Sequence, residues 1–151
     1  MKMPYKLDKV DLEIIRNLWN GRTPYSEVAK KVGLTTNTVR NRVKNMLKND
    51  VLQIISLVNP KAIKNHNSAI IGIKVKPQNT REVLDKISKL KGVVAAATVS
   101  GRFDIMAVTM FNEEYTYTNF LEEELRNVEN IISTETFFVI EGDTWQLRYV
   151  L

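Results

Sequence analysis

The spacing of apolar residues in the first third of the chain predicts three consecutive helices. These helices run from the N-cap Asp8 to Asn20-Gly21, from Pro24 to Gly33, and from the N-cap Thr35 to Asn49-Asp50. Their buried stripes are expected at Leu12, Ile15, Leu18 and Trp19, then at Val28, Ala29 and Val32, and then at Val39, Val43, Met46 and Leu47.

The remaining two thirds of the chain alternates between predicted strands and helices. Strands are expected at 51–59, 69–75, 93–100, 103–111 and 131–140, and helices at 80–90 and 113–128. The turn 141–143 leads into a last hairpin strand at 144–150. From 69 onwards the order is βαββαβ, the split-βαβ or ferredoxin-like arrangement, with one strand added.

These elements predict an α+β protein with two domains. We expect an N-terminal helix–turn–helix, winged-helix-like domain at 1–52, a linking strand and connection at 53–66, and a ferredoxin-like domain at 67–151.

The charge is divided unevenly between the two halves of the 151-residue chain. Residues 1–66 carry 13 Lys and Arg against 5 Asp and Glu, whereas residues 67–151 carry 9 against 12. A basic portion joined to an acidic one suggests a polyanion-binding domain attached to a second function, although a solvated helical face has the same composition.

The composition excludes several kinds of chemistry. The chain has no cysteine and a single histidine, His66, so disulfides, thiolate nucleophiles and zinc sites built from several histidines are excluded, and we expect no metal or cofactor. His-dependent hydrolysis is disfavoured for the same reason. Because the sequence has neither an apolar run of about 18 residues nor an apolar leader, we expect a cytoplasmic protein that does not enter the membrane.

The segment VAKKVGLTTNTVRNRV has the spacing of a helix–turn–helix. Ala29 is small where two helices cross, Gly33 suits the turn, and Val39 packs back onto the preceding helix. The alternative is an αα-hairpin of an ordinary helical bundle. The usual apolar position late in the second helix falls on Arg42, so Val43 is expected to fill it.

The outer face of the second helix of this motif carries small polar and basic residues. We expect Asn37 and Asn41 to pair with adenine, Arg40 with guanine and the threonine methyls with thymine, while Arg42 and Lys44 meet phosphates. The full set of expected DNA contacts is Thr36, Asn37, Thr38, Arg40, Asn41, Arg42 and Lys44. The alternatives are simple solvation and, for Arg42, an ion pair with Glu13 or Glu27.

With these motifs in place, the chain resembles the feast/famine regulators, the leucine-responsive and asparagine-related (Lrp/AsnC) transcription regulators. The resemblance is carried by LDKVDLEIIRNLWNGR, by YSEVAKKVGLTTNTVRNRVKNMLKNDVL, and by VVAAATVSGRFDIMAVTMF with its Gly-x-x-Asp turn. It implies a homodimer built through the C-terminal sheets, further assembly to octamers, and an amino acid effector bound between dimers near that turn.

The resemblance places the effector at the turn and at the last strand of the domain. The expected effector-binding residues are Ser100, Gly101, Arg102, Phe103, Asp104, Thr134 and Thr136. Asp104 would receive the ammonium group and Arg102 a carboxylate, and Gly101 would bring backbone amides near an anion. The alternative is a plain hairpin capped by Asp104. Ser100 and Ala95–Ala97 depart from the family pattern.

Two functions in particular follow from these observations. The first is a sequence-specific DNA-binding transcription regulator whose assembly or DNA affinity responds to an amino acid effector. The second is a DNA-binding regulatory or architectural protein with no small-molecule effector. An enzyme on a ferredoxin-like scaffold is disfavoured, because the C-terminal half has neither cysteine nor histidine. An amino-acid-sensing subunit of an enzyme would leave the basic N-terminal half unexplained.

Overall fold

The computed structural model describes residues 5–18, 21–143 and 145–151. The chain divides into two compact units, Met1–Ile55 and Ser56–Leu151. Each unit has its own buried apolar core.

The first unit contains three helices. They are α1 at Lys9–Asn17, α2 at Tyr25–Val32 and α3 at Thr36–Lys48. Both predicted N-caps are confirmed, since Asp8 accepts from the Asp11 amide and Thr35 from the Thr38 amide. Gly33 ends α2 in the left-handed conformation, with φ of 68°, as the turn of the motif requires.

The core of this unit contains most of the predicted apolar stripes. The buried apolar residues are Ile14, Leu18, Val28, Ala29, Val39, Val43 and Met46. The prediction was wrong for Leu12 and Leu47, whose exposed fractions are 43% and 38%. In α1 the buried face instead runs through Ile14 and the charged Asp11, which an apolar pattern does not reveal. Trp19 and Asn20 lie outside the described residues.

The strand predicted at 51–59 is largely absent. Val51 and Leu52 pack against the helical core, residues 53–56 are exposed, and only Leu57–Val58 form a strand, β1. The β-branched composition favoured a strand, but a strand forms only when its backbone pairs with another strand. Among the described residues, no strand pairs with 51–56. Within 49–55, which the structure describes in full, no strand follows α3.

The second unit is a four-stranded antiparallel sheet with helices on one face. Its strands are β2 at Asn67–Val75, β3 at Val93–Thr98, β4 at Ile105–Phe111 and β5 at Ile131–Phe138, in the order β3-β4-β2-β5. Helix α4 spans Thr80–Ile87, and α5 at Tyr117–Asn119 continues as a π-turn at Phe120–Glu124 and a 3₁₀ turn at Leu125–Asn127. Further 3₁₀ turns lie at Pro60–Ala62 and Pro77–Asn79. The ferredoxin-like arrangement is confirmed.

The end of the chain differs from the prediction. A hairpin with β5 was expected, but strand β6, Leu147–Arg148, pairs antiparallel with β1 in a separate two-stranded sheet. The Trp145 indole N–H donates to the Ser68 hydroxyl at 2.9 Å, which anchors this segment to β2. Thr144 lies outside the described residues. The helix expected from residue 113 begins only at the N-cap Thr116.

The two faces of the four-stranded sheet differ in their surroundings. Ala69, Ile71 and Ile73 point to the helices and are fully buried with them. The alternate residues of β2, with the residues that pair with them, form the opposite side, which we call the open face. Its central part consists of Ile70, Gly72, Met106, Val108, Glu135 and Phe137. Apart from Gly72, these residues are half-buried or exposed.

Candidate DNA-binding and effector sites

The outer face of α3 is the candidate DNA-binding surface. Asn37, Arg40, Asn41 and Lys44 are exposed, on the side of the helix away from the buried valines. Thr36 and Thr38 are half-buried, and the Thr38 hydroxyl lies 2.8 Å from that of the N-cap Thr35. This surface therefore presents side chains that can reach base edges and phosphates.

Arg42 belongs to a different cluster from its exposed neighbours on α3. Its Nη1 donates to a carboxylate oxygen of Asp8 at 2.7 Å and of Asp11 at 2.8 Å, and the Asp11 side chain is only 2% exposed. The Tyr5 hydroxyl donates to the same Asp11 carboxylate at 3.1 Å. The partners expected from the sequence were wrong, since Glu27 pairs instead with Lys31. Arg42 thus ties α3 to the beginning of α1.

The electrostatics of this cluster match its geometry. The Asp11 amide, first, and the Arg42 guanidinium, second, hold the pKa of the Asp8 carboxyl below its usual value. Hydrogen bonds from Arg42 to Asp11 and Asp8 raise the pKa of the guanidinium further above its usual range. Asp8 and Arg42 therefore carry opposite charges near neutral pH.

The turn between β3 and β4 is held by Asp104. The Asp104 carboxylate accepts from the Val75 amide at 2.9 Å, and the Asp104 backbone amide donates to the Ile73 carbonyl at 3.0 Å. The Lys74 ammonium lies 3.6 Å from the other carboxylate oxygen. Gly101 has φ of 137°, which favours glycine. The Asp104 side chain therefore fastens the turn to β2, a contact that neither the effector hypothesis nor the plain-hairpin alternative, in which Asp104 caps the turn itself, had predicted.

Phe103 folds back from the turn onto the open face and rests on Gly72. A Cβ added at Gly72 would lie 2.5 Å from the Phe103 ring, so only glycine allows this approach. The ring meets Phe137 edge to face, with centroids 6.3 Å apart. Gly72 was not among the predicted site residues, although a glycine inside a strand often marks a close approach.

Arg102 completes this arrangement through an ion pair that was not predicted from the sequence. Its Nη2 lies 2.8 Å from Glu135 Oε2, and its guanidinium carbon lies 5.4 Å from the centre of the Phe103 ring. The signal in the sequence was a carboxylate between two threonines in a strand, but nothing in the sequence indicated its partner. Arg102, Phe103 and Glu135 thus form one cluster at the open face.

The two threonines of the predicted set lie on the other side of the sheet. Thr136 pairs with Ile71 and shares a 2.8 Å hydrogen bond with the Tyr117 hydroxyl, and Thr134 pairs with Ile73 and is exposed. Ser100 and Gly101 are exposed at the tip of the turn. Within one chain the sheet therefore separates Thr134 and Thr136 from Arg102 and Phe103.

Among the residues that the structure describes, no three His, Cys, Asp or Glu side chains are grouped so as to hold a metal ion. No helix in 5–18, 21–143 or 145–151 is long and apolar enough to cross a membrane.

A helix–turn–helix with an exposed polar face, followed by a separate ferredoxin-like domain, is the architecture of a DNA-binding protein with a second, C-terminal function. The AsnC-type helix-turn-helix domain matches residues 7–47, and the Lrp/AsnC ligand binding domain matches residues 68–142. The chain belongs to the Lrp/AsnC family of transcriptional regulators, as the motifs predicted, and its relatives are regulators and not enzymes.

Individual relatives agree with this assignment along nearly the whole chain. A helix–turn–helix-type transcriptional regulator of Pyrococcus furiosus is 34% identical over 92% of this chain and 95% of its own. The structure of Escherichia coli AsnC has a TM-score of 0.68 at 28% identity, covering 91% of this chain and 95% of that one. A Neisseria meningitidis regulator in complex with L-Met shares the fold, with a TM-score of 0.68 at 22% identity, over 92% and 95% of the chains.

Proposed function

We propose that this regulator reads a specific DNA sequence through α3 and changes its assembly or its DNA affinity when it binds an amino acid. The observation that carries the proposal is the exposed face of α3, where Asn37, Arg40, Asn41 and Lys44 stand together on a basic domain. Asparagine and arginine are the side chains that pair bidentately with adenine and guanine in the major groove.

Within this surface we assign different roles to neighbouring side chains. Asn37, Arg40 and Asn41 lie in the first turns of α3, which meet base edges in helix–turn–helix proteins, and Lys44 follows where phosphates lie. Thr36 and Thr38 shape the start of the helix and offer methyl groups. Arg42 is engaged with Asp8 and Asp11, so we assign it to holding α3 in position rather than to DNA.

Selection from a randomised duplex library, followed by affinity measurements at several salt concentrations, tests the DNA half of the proposal. Asn41→Ala is expected to lose about 1–3 kcal/mol on the selected site alone. Lys44→Ala is expected to weaken selected and random sites alike and to lower the salt slope by about 1. If the wild-type chain selects no sequence, or if both variants lose affinity equally on every site, α3 does not read sequence as proposed.

The amino acid half of the proposal is supported by the ligand-binding domain match and by the chemistry of the turn 100–104. A distant relative of the same fold was solved with L-Met, and the turn offers a guanidinium and backbone amides at a surface position. Calorimetry and thermal melting with each of the twenty amino acids test it. A DNA-binding regulator without an effector would show neither heat of binding nor a raised melting temperature with any of them.

We further propose that the chain forms a homodimer through the open face. Ile70, Met106 and Val108 leave an apolar strip half-buried along the middle of the sheet, and Phe137 at its edge is 44% exposed. A second copy of the same surface would cover it by two-fold symmetry. Light scattering with and without each amino acid distinguishes a dimer from an octamer and shows whether the effector changes the assembly.

A further inference from the structure

We infer that a small cavity at the far end of the four-stranded sheet from the turn 100–104 binds a short-chain monocarboxylate. The cavity has a volume of about 80 Å³ and lies within the second unit, between the start of β2, the segment that follows β5 and the connection 59–66. Ser68 at the cavity and Val75, which contacts Asp104 of the turn, are about 23 Å apart along β2. The site is therefore separate from the proposed amino acid response, and neither depends on the other.

The first argument is a buried hydroxyl that lines the cavity. Ser68 is only 4% exposed, and its hydroxyl oxygen accepts from the Trp145 indole N–H at 2.9 Å. A hydroxyl that accepts in this way keeps its own hydrogen for donation, and no group of the described residues accepts that hydrogen. A ligand oxygen in the cavity would therefore satisfy a buried donor that the chain itself leaves without an acceptor.

The second argument is the charge of the cavity wall. Lys61 and Asn67 belong to the wall, and within the part of the chain that the structure describes the Lys61 ammonium pairs with no carboxylate and the Asn67 side chain makes no hydrogen bond. None of the described residues that line the cavity is Asp or Glu. A cation and further donors without an acidic group favour an anionic ligand and offer no counter-charge to the ammonium group of an amino acid.

The third argument concerns the size and the apolar part of the cavity. A cavity of about 150 Å³ holds a benzene molecule, so this one holds about four heavy atoms, which is a carboxylate group and the carbon atom next to it. Val139, Ile140 and Trp145 supply apolar lining, and Ile140 is 87% exposed, so it stands at the mouth. A short aliphatic chain that leaves the cavity along Ile140 would cover part of this exposed side chain. The class of ligand is therefore a monocarboxylate with a short apolar chain.

Titration of the full chain with butyrate at constant ionic strength, followed by tryptophan fluorescence, tests the inference. Because Trp145 lines the cavity, its emission should change on binding, and the change should be absent in Trp145→Phe. Two compounds of related structure show which group is recognised. In 2-aminobutyrate an ammonium group is added to the same carbon skeleton, and in propylamine an ammonium group replaces the carboxylate. Both should bind at least about 10-fold more weakly than butyrate.

Variants of the cavity wall test the assignment of the residues. Lys61→Gln removes the cation and should weaken butyrate binding about 5-fold or more. Lys64→Gln is the matched control, since Lys64 is exposed in the same connection but does not line the cavity, and it should bind butyrate as the wild type does. Ser68→Ala removes the buried donor and should also weaken binding, and its melting temperature reports the cost of the lost bond to Trp145.

Three results would overturn the inference. The cavity is not a carboxylate site if propylamine or 2-aminobutyrate binds as tightly as butyrate. It is not the site of binding if the emission change persists in Trp145→Phe. Lys61 has no special part in it if Lys61→Gln and Lys64→Gln bind butyrate equally well. These measurements use neither DNA nor the amino acid effector, so the proposed function stands or falls independently of them.

Discussion

Arg42 stands in the middle of α3 yet contacts two carboxylates at the beginning of α1. We expect Arg42→Ala to lower the free energy of unfolding by about 1–3 kcal/mol, because the nearly fully buried Asp11 then loses its cation. Arg40→Ala is the matched control, since Arg40 is exposed on the same helix and its loss should stay within about 0.5 kcal/mol. Urea unfolding of the full chain measures both, and equal stability of the two variants would contradict the structural role of Arg42.

Gly72 is the second position where a single residue decides the local structure. Gly72→Ala should lower the stability by about 1–3 kcal/mol, because the new Cβ overlaps the Phe103 ring. In a Phe103→Ala background the ring is gone, and the same change should cost at most about 0.5 kcal/mol. A double-mutant cycle by urea unfolding compares the two, and an equal cost in both backgrounds would show that the glycine serves another purpose.

These two residues also mark what the sequence does not reveal at this scale. The motif spacing identified Val43 as the residue that fills the core where Arg42 replaces an apolar one, and Val43 is buried. The partners of Arg42, however, lie 31 and 34 positions away, and no periodicity connects them. The same holds for Arg102 and Glu135, which come together only because the turn folds over the sheet.

At the scale of elements, the ionisation of the N-cap Asp8 makes the stability of α1 depend on pH. The amide of Asp11 and Arg42 lower the pKa of Asp8 below 3.8, so Asp8 contributes stability that is present above its unfolded pKa and is lost as the pH falls through its folded pKa. Asn can replace Asp as an N-cap but does not ionise. The stability difference between wild type and Asp8→Asn should therefore shrink from about pH 6 to about pH 3. Urea unfolding across this range measures it, and a constant difference would argue against the charge of Asp8.

The elements that the sequence predicted well are those with local signals. The caps Asp8, Thr35 and Gly33 set the helix ends through contacts within a few residues, and the four sheet strands follow from short apolar runs bounded by turn residues. The strand predictions for 51–59 and 144–150 were wrong in extent or in pairing, because a strand forms only where a partner strand is available to pair with it. β1 and β6 find each other from opposite ends of the second unit.

At the scale of the whole molecule, the open face should hold two copies together. Val108→Lys places a charge in the middle of this face, and we expect light scattering to show a monomer in place of a dimer. Ile140→Lys is the control, since Ile140 is 87% exposed and lies outside the four-stranded sheet. A cooperative melt must persist in both variants.

The same variant has a consequence for DNA. A dimer holds two helix–turn–helix domains, so Val108→Lys should lose the avidity for two half-sites and keep the affinity for a single half-site. Fluorescence anisotropy with one-half-site and two-half-site duplexes measures the two affinities. A monomer that kept the two-half-site affinity would contradict the dimer proposal.

The pairing of β1 with β6 has a consequence for the order in which the two sheets of the second unit unfold. Leu57 and Arg148 are about 90 residues apart, and closing such a loop in an unfolded chain costs about 4 kcal/mol, more than a two-residue ladder returns. The ladder therefore forms after the four-stranded sheet and opens before it. Hydrogen exchange should show early exchange at Leu57, Val58, Leu147 and Arg148, while the amides of Ile71 and Ala107 stay protected. The segment that leads into the ligand-binding domain is therefore released from β6 at temperatures where the four-stranded sheet is still intact.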